Sequence, residues 1–299
     1  MSRLRDVWVV ASFEFAESLR SRKALGLLLL ALIGALAGTG LFLNALHAME
    51  AELAVNLGVK PTAGTGGMAT EVLHSKQFIN GLGEMLGDKA LARSLANIPP
   101  LALFAGWFGL TFIPLLVILS SCDAVSGEMS SGSARYALFR VDRLSWLLGK
   151  LGGQAALMTV GIVLAGAAAY LEGVIFMTRF PALLTAAWMM RLGARVWIYG
   201  FAYLGLALGA SQLSRSVNLT RVFGLLALFA MGVLPRVMSH YEDKAPLLLG
   251  QLRLIFPQAY VVDLWQPNGL DQLPSLVMLL ALGTLYFGLG YTYFSRVDR

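Results

Sequence analysis

The chain has 299 residues, of which 57% are hydrophobic and only 13% charged, with a formal charge of +6. A soluble domain of ordinary composition carries about 25% charged residues because its surface must face water, so most of this surface faces lipid. The basic residues punctuate apolar runs and form no patch, which argues against nucleic acid as a partner.

Cys122 is the single cysteine, so an intramolecular disulfide and a Cys-based metal site are both excluded. The first 23 residues carry mixed charge and precede an apolar run long enough to span a membrane. That is unlike a cleavable signal peptide, and the segment is expected to stay attached. Within it, Leu4, Trp8, Ala11, Phe15 and Leu19 recur at three- and four-residue intervals, with Asp6, Glu14, Glu17 and Arg20 away from the stripe. The pattern predicts a helix in the headgroup plane, apolar side down. A soluble helix packed on a partner is the alternative.

A span needs roughly 20 apolar residues to cross about 30 Å of hydrocarbon. Six segments qualify, at about 24–46, 101–121, 151–177, 188–211, 222–239 and 274–294. The fifth is the weakest, because Pro235 and Arg236 interrupt it. The fold class predicted is therefore an all-α, polytopic integral membrane protein forming one transmembrane domain over 1–299.

Between the first two spans, residues 47–100 form a long external loop with a flexible centre at Pro61–Gly67. After that centre, Val72, Ile79, Leu82 and Leu86 share a helical face. Between spans five and six, Ala245 to Phe256 is apolar but half the length of a span, and reads as re-entrant or interfacial. Small residues recur at helical spacing in Gly34 with Gly38, Ala165 with Ala169, and Gly205 with Gly209, the signature of close helix packing within one subunit.

With both termini in the cytoplasm, 13 of the 23 basic residues fall in short cytoplasmic segments. The Arg20-Ser21-Arg22-Lys23 cluster abuts the first span. This asymmetry orients the chain in a plasma (inner) membrane.

Little suggests catalysis. His47, His74 and His240 are isolated, and neither a zinc-protease helix nor a nucleophile elbow is present. Gly149-Lys150 resembles the end of a phosphate loop, but Leu144 and Leu151 stand where its first glycine and its hydroxyl belong. Leu151-Gly152-Gly153-Gln154 echoes a transporter-ATPase signature by chance. No cofactor is expected in this chain. Glu172 is the one acidic residue inside a span, hence a pathway or gating candidate. Arg179, seven residues on along the same helical face, could pair with it.

Residues 122–150 form the largest cytoplasmic loop. Glycines punctuate it, and charges interleave with Tyr136, Leu138 and Phe139. A helical knob offered to a protein partner would need such apolar contacts together with charges for register. By pattern alone, a simple interfacial loop fits equally well.

The segment resembles the permease motif of ABC-2 type transporters: Asp-x-(Ile/Val)-x-Gly-Glu, then Gly-(Thr/Ser)-x-Arg, then Arg and Gly-Lys before the next span. Asp123, Gly127, Glu128, Gly132, Ser133, Arg135, Arg143, Gly149 and Lys150 match in order. Asp142 stands where the motif often has proline.

The in-plane helix, six spans and re-entrant piece resemble that family along essentially the whole chain. The resemblance implies a permease, with exporter activity expected. Its cytoplasmic loop would dock on a separate ABC ATPase that binds the ATP and Mg, with a second permease copy completing the transporter among membrane lipids. The coupling set it implies is Asp123, Gly127, Glu128, Gly132, Ser133, Arg135, Tyr136, Arg140, Arg143 and Lys150. The competing readings are a membrane-embedded lipid-modifying enzyme, for which clustered polar residues at matched depth are lacking, and a non-transporting scaffold.

Overall fold

The computed structural model describes residues 2–56, 79–80, 84, 89–240, 246–266 and 269–297. Every regular element among them is helical, and six helices are long and apolar enough to cross a membrane. The helices are α1 (Ser2–Arg20), α2 (Arg22–Asn56), α3 (Lys89–Ala96), α4 (Pro100–Ser121), α5 (Ser126–Ser131), α6 (Ser133–Leu138), α7 (Arg143–Phe176), α8 (Ala182–Ser211), α9 (Val217–His240), α10 (Pro246–Arg253) and α11 (Gly269–Val297). Two 3₁₀ turns, Pro257–Tyr260 and Asp263–Trp265, precede α11.

Local chemistry sets the breaks. Ser21 separates α1 from α2, and its Oγ accepts from the Ala24 amide at 3.1 Å, capping the second helix. Pro100 opens α4 at a position that needs no N–H donor. Asp142 caps α7, accepting from the Ser145 amide at 3.2 Å and the Ser145 hydroxyl at 2.7 Å. A residue in place of the motif's proline thus starts the third spanning helix. Gly132, at φ 78°, ends α5 and turns the chain into α6.

The six long helices alternate in direction. Lys23 at the start of α2 bonds Asp123 just past the end of α4, Ser211 at the end of α8 bonds the chain before α5, and Trp146 near the start of α7 stacks on Phe294 near the end of α11. One face of the bundle therefore carries α1, α5, α6 and the last turns of α4, α8 and α11. It is called the α1 face below.

The centre of the bundle is α8, packed against α4, α7 and α11. Tyr199, Tyr203, Leu204 and Leu208 are at most 1% exposed. Its backbone meets that of α11, since a Cβ on Gly205 would collide with the Gly283 carbonyl and one on Gly209 would lie 2.5 Å from the Tyr286 oxygen. Glycine is needed at both positions for that approach, which in lipid is how helices gain packing energy. Close packing inside one subunit is as expected at Gly205 and Gly209, whereas Gly34, Gly38, Ala165 and Ala169 line an open cleft.

Several boundaries differ from the expectation. Helix α2 runs ten residues past Leu46 into the loop, and α7 starts at Arg143, eight residues before the apolar run. At about 1.5 Å per residue the 34 residues of α7 extend about 51 Å, well beyond the hydrocarbon thickness, so its first turns stand clear of the apolar layer. Pro235 does not break α9, which continues to His240. The flexible centre at Pro61–Gly67, together with Val72, Leu82 and Leu86, lies outside the described residues.

The segment that folds back into the bundle is 257–265, just after the stretch read as re-entrant. Leu264 is fully buried, and its carbonyl accepts from Arg195 Nη1 at 2.7 Å.

Candidate functional site

The α1 face is built around two charged hubs. In the first, Lys150 is 2% exposed and holds Glu14 Oε2 at 2.6 Å and Glu128 Oε1 at 2.5 Å. Its ammonium also lies 5.4 Å from the Trp146 ring centre, a favourable cation–π distance. Gln154 donates to Glu14 Oε1 at 2.8 Å and accepts from Ser121 Oγ at 3.0 Å. The lysine thus fastens α1, α5 and α7 at one point.

Close approach makes this hub possible. A Cβ on Gly149 would sit 2.5 Å from Val10 Cβ, and one on Gly153 would sit 2.6 Å from Glu14 Cγ. Gly149, Gly152 and Gly153, the glycines of the two sequences that mimic nucleotide motifs, are therefore the groove in which α1 lies. Buried ion pairs demand such geometry, because the attraction must offset desolvation of every charge.

The second hub is Asp123. It receives Arg221 through Nη2 at 2.7 Å and Nε at 3.1 Å, and it also bonds Lys23. These contacts tie the end of α4 to the starts of α2 and α9. Beside it, Ser211 Oγ accepts from the Val125 and Ser126 amides at 3.1 and 3.0 Å, and Ser126 Oγ lies 2.8 Å from Thr220 Oγ1. The start of α5 is pinned to two spans.

The sequence-selected residues divide in two. Glu128 and Lys150 turn inward and pair with each other, and Asp123 pairs with Lys23 and Arg221. Gly132 shapes the turn while Gly127 lies within α5, Ser133 bonds the Glu128 carbonyl at 3.4 Å, and the Arg143 guanidinium lies 5.8 Å from the Phe294 ring centre. Arg135, Tyr136, Phe139 and Arg140 face out, with Tyr136 79% and Phe139 87% exposed. The inner residues hold a knob, and the outer ones form its tip.

Two expectations are corrected. Glu14, placed on the polar side of the in-plane helix, is 7% exposed and central to the first hub, whereas Leu4 and Trp8 are 80% and 73% exposed. The packed face is Val7, Val10, Ala11 and Glu14, so part of the apolar stripe remains free for lipid. Glu172 and Arg179 do not pair. Helix α7 ends at Phe176 and Met177 is extended, so Arg179 leaves the helical face, and Glu172 Oε2 has no hydrogen-bond partner.

The oxygens of Glu14, Glu17 and Glu128 lie within 4.8 Å of one another, a spacing that could hold a metal. Lys150 Nζ occupies the centre of Glu14 and Glu128, so the cluster is an ion-pair network. A further polar site went unassigned in the sequence: Arg195 is 4% exposed with Nη2 unpaired, 16 residues or about 24 Å from the end of α8. Tyr199, one turn on, donates to Gln258 Oε1 at 2.6 Å and lies 3.1 Å from the Tyr203 hydroxyl. Its signal was the i, i+4, i+8 spacing of Arg195, Tyr199 and Tyr203.

A search of curated proteins gives no match. The family model described as ABC-2 family transporter protein matches residues 8–299. It therefore takes in the glycine groove, both hubs and the knob. The chain belongs to the ABC-2 transporter family.

Proposed function

We propose that this permease is driven by a separate cytoplasmic ATPase docking on the α5–α6 knob, and that it acts as an exporter in a two-permease assembly. In this reading the α1 face is cytoplasmic and both termini lie on that side of the inner membrane, in contact with its lipids. ATP and Mg belong to the partner ATPase. The observation that supports it best is the contrast within the knob. Its base is fixed by Lys150 and Ser211, while Arg135, Tyr136, Phe139 and Arg140 project into solvent. Aromatic and arginine side chains on a rigid base are what a protein interface uses as anchors. Force from a closing ATPase would pass from the knob through Glu128 and Lys150 into α7, and through Asp123 into α2 and α9.

The test is Tyr136→Ala with Phe139→Ala in the reconstituted complex. Each anchor lost from a buried contact costs about 2 kcal/mol, roughly a 30-fold weakening of ATPase binding. Permease folding should be unchanged, because both rings are exposed. Undiminished ATPase binding and stimulation would refute docking at this tip.

A further inference from the structure

A cleft of about 540 Å³ runs between α2, α4, α7 and α8. Its lining carries only two polar side chains, Thr39 and Ser120. On α4 it extends from Phe104 to Ser120, 16 residues or about 24 Å, most of the hydrocarbon thickness. Leu30, Leu41, Phe112 and Leu115 on its wall are exposed, so it opens sideways to lipid. At the end away from α1, Phe42 stacks on Phe104 at 4.6 Å and Phe104 packs on Phe108, closing it.

At the other end the cleft shares Ala24, Leu27, Ser120 and Leu157 with a polar pocket of about 210 Å³. Four carboxylates, from Glu14, Glu17, Asp123 and Glu128, line that pocket against two ammonium groups, from Lys23 and Lys150. A long apolar slot with an acidic mouth at the membrane surface matches one kind of molecule.

We propose that the cleft binds a membrane amphiphile of the cytoplasmic leaflet whose head group is a net cation. Its chain lies along Gly34, Gly38 and Gly166, and its ammonium sits beside Glu17 in the polar pocket. The acid excess selects the head: with Arg221 on Asp123 beside Lys23 and Lys150, three cations face four carboxylates, and Glu17 is the acid left over, which a cation offsets and an anionic head would oppose. The apolar length selects the tail, which trades lipid neighbours for packing contacts along the slot where a polar chain would be left without partners. Calling the amphiphile cargo rests on the transport reading, whereas its binding does not.

The experiment uses the full chain, without ATPase, in phosphatidylcholine nanodiscs. The probe is a long-chain primary alkylamine carrying a mid-chain diazirine, with crosslinks mapped by peptide mass spectrometry. Label is expected on 34–38 and 104–112. Unlabelled alkylamine should compete about tenfold better than the alkyl carboxylate of equal length, and Glu17→Gln should narrow that preference.

A Cβ on Gly166 meets nothing within 4 Å and the position lines the cleft, so Gly166→Phe places a ring there and should abolish the label. Gly193→Leu is a second filler, and Gly288→Phe, outside the cleft, should leave the label intact. The proposal is overturned if label is spread over lipid-facing residues without competition, if both fillers fold and keep it, or if the carboxylate competes equally. It is also overturned if Gly34→Cys in a Cys122→Ser background forms a disulfide between two copies, because a second permease would then occupy the slot.

Discussion

Replacing Lys150 with methionine keeps an unbranched chain that lacks the terminal ammonium and removes the one cation shared by Glu14 and Glu128. The two carboxylates lose different amounts. Glu128 is 27% exposed on its side chain and can recover water, whereas Glu14 is 9% exposed and keeps only the Gln154 donor at 2.8 Å and what solvent reaches its edge. Breaking a buried pair by deleting one partner costs about 3–5 kcal/mol. With one acid rehydrated, the lower end applies, about 3 kcal/mol.

Adding Glu14→Gln removes the stranded charge and should bring the loss back to about 1 kcal/mol, since a buried pair and a neutral replacement differ little. Stability would be read from unfolding in mixed micelles. Docking of α1 would be read from the distance between spin labels at Ser12 and Leu148, both exposed. Lys150→Met should widen that distance distribution and the double variant should narrow it again. A loss under about 1 kcal/mol from Lys150→Met, or no recovery with Glu14→Gln, would refute the view that this lysine holds α1 in place.

Gly205→Ala should separate α8 from α11 and cost about 1–3 kcal/mol by overpacking, seen as a fall in the thermal midpoint; an unchanged midpoint would show that the two backbones are not in contact. Asp123→Asn should cost about 1 kcal/mol or less, because Lys23 and Arg221 are 39% and 51% exposed. Its effect should shrink as salt is raised, and a salt-independent loss would contradict that. Hydrogen bonds from the Ser145 hydroxyl and amide hold the Asp142 carboxyl below its ordinary value. Its contribution is therefore present above the unfolded carboxyl value of about 3.9 and lost as pH falls through the lower folded value. Protection of the amides in the first turn of α7, taken relative to their intrinsic exchange, should fall across that window and should not change with pH in Asp142→Asn.

The spans were legible because lipid demands long apolar runs and nothing else in the chain supplies them. Which face of a span packs was not, since in lipid the exposed face is as apolar as the buried one. The same ambiguity hid Glu14. Its helix has a free apolar stripe, and the groove that receives it is made by glycines about 135 residues away, whose absent side chains leave no periodic mark. Those glycines and Lys150 drew attention as look-alikes of nucleotide motifs, when their role is to let two helices touch and to neutralise what the contact buries. Arg179 was misplaced because helix continuation was assumed beyond Phe176. Phe180 precedes Pro181, which disfavours helical backbone there, and the chain had already turned extended at Met177.

The Glu14–Lys150 bond joins residues 136 positions apart. During synthesis α1 emerges before α7, the helix it mainly packs on, which follows roughly 7–27 s later at 5–20 residues per second. For that interval a carboxylate that ends up buried must stay hydrated. The exposed Leu4, Trp8 and Phe13 can keep the helix resting on the bilayer surface meanwhile. Helix α1 is thus seated only once α7 has been made, and the ribosome-bound chain carries a membrane-surface anchor before it has a bundle.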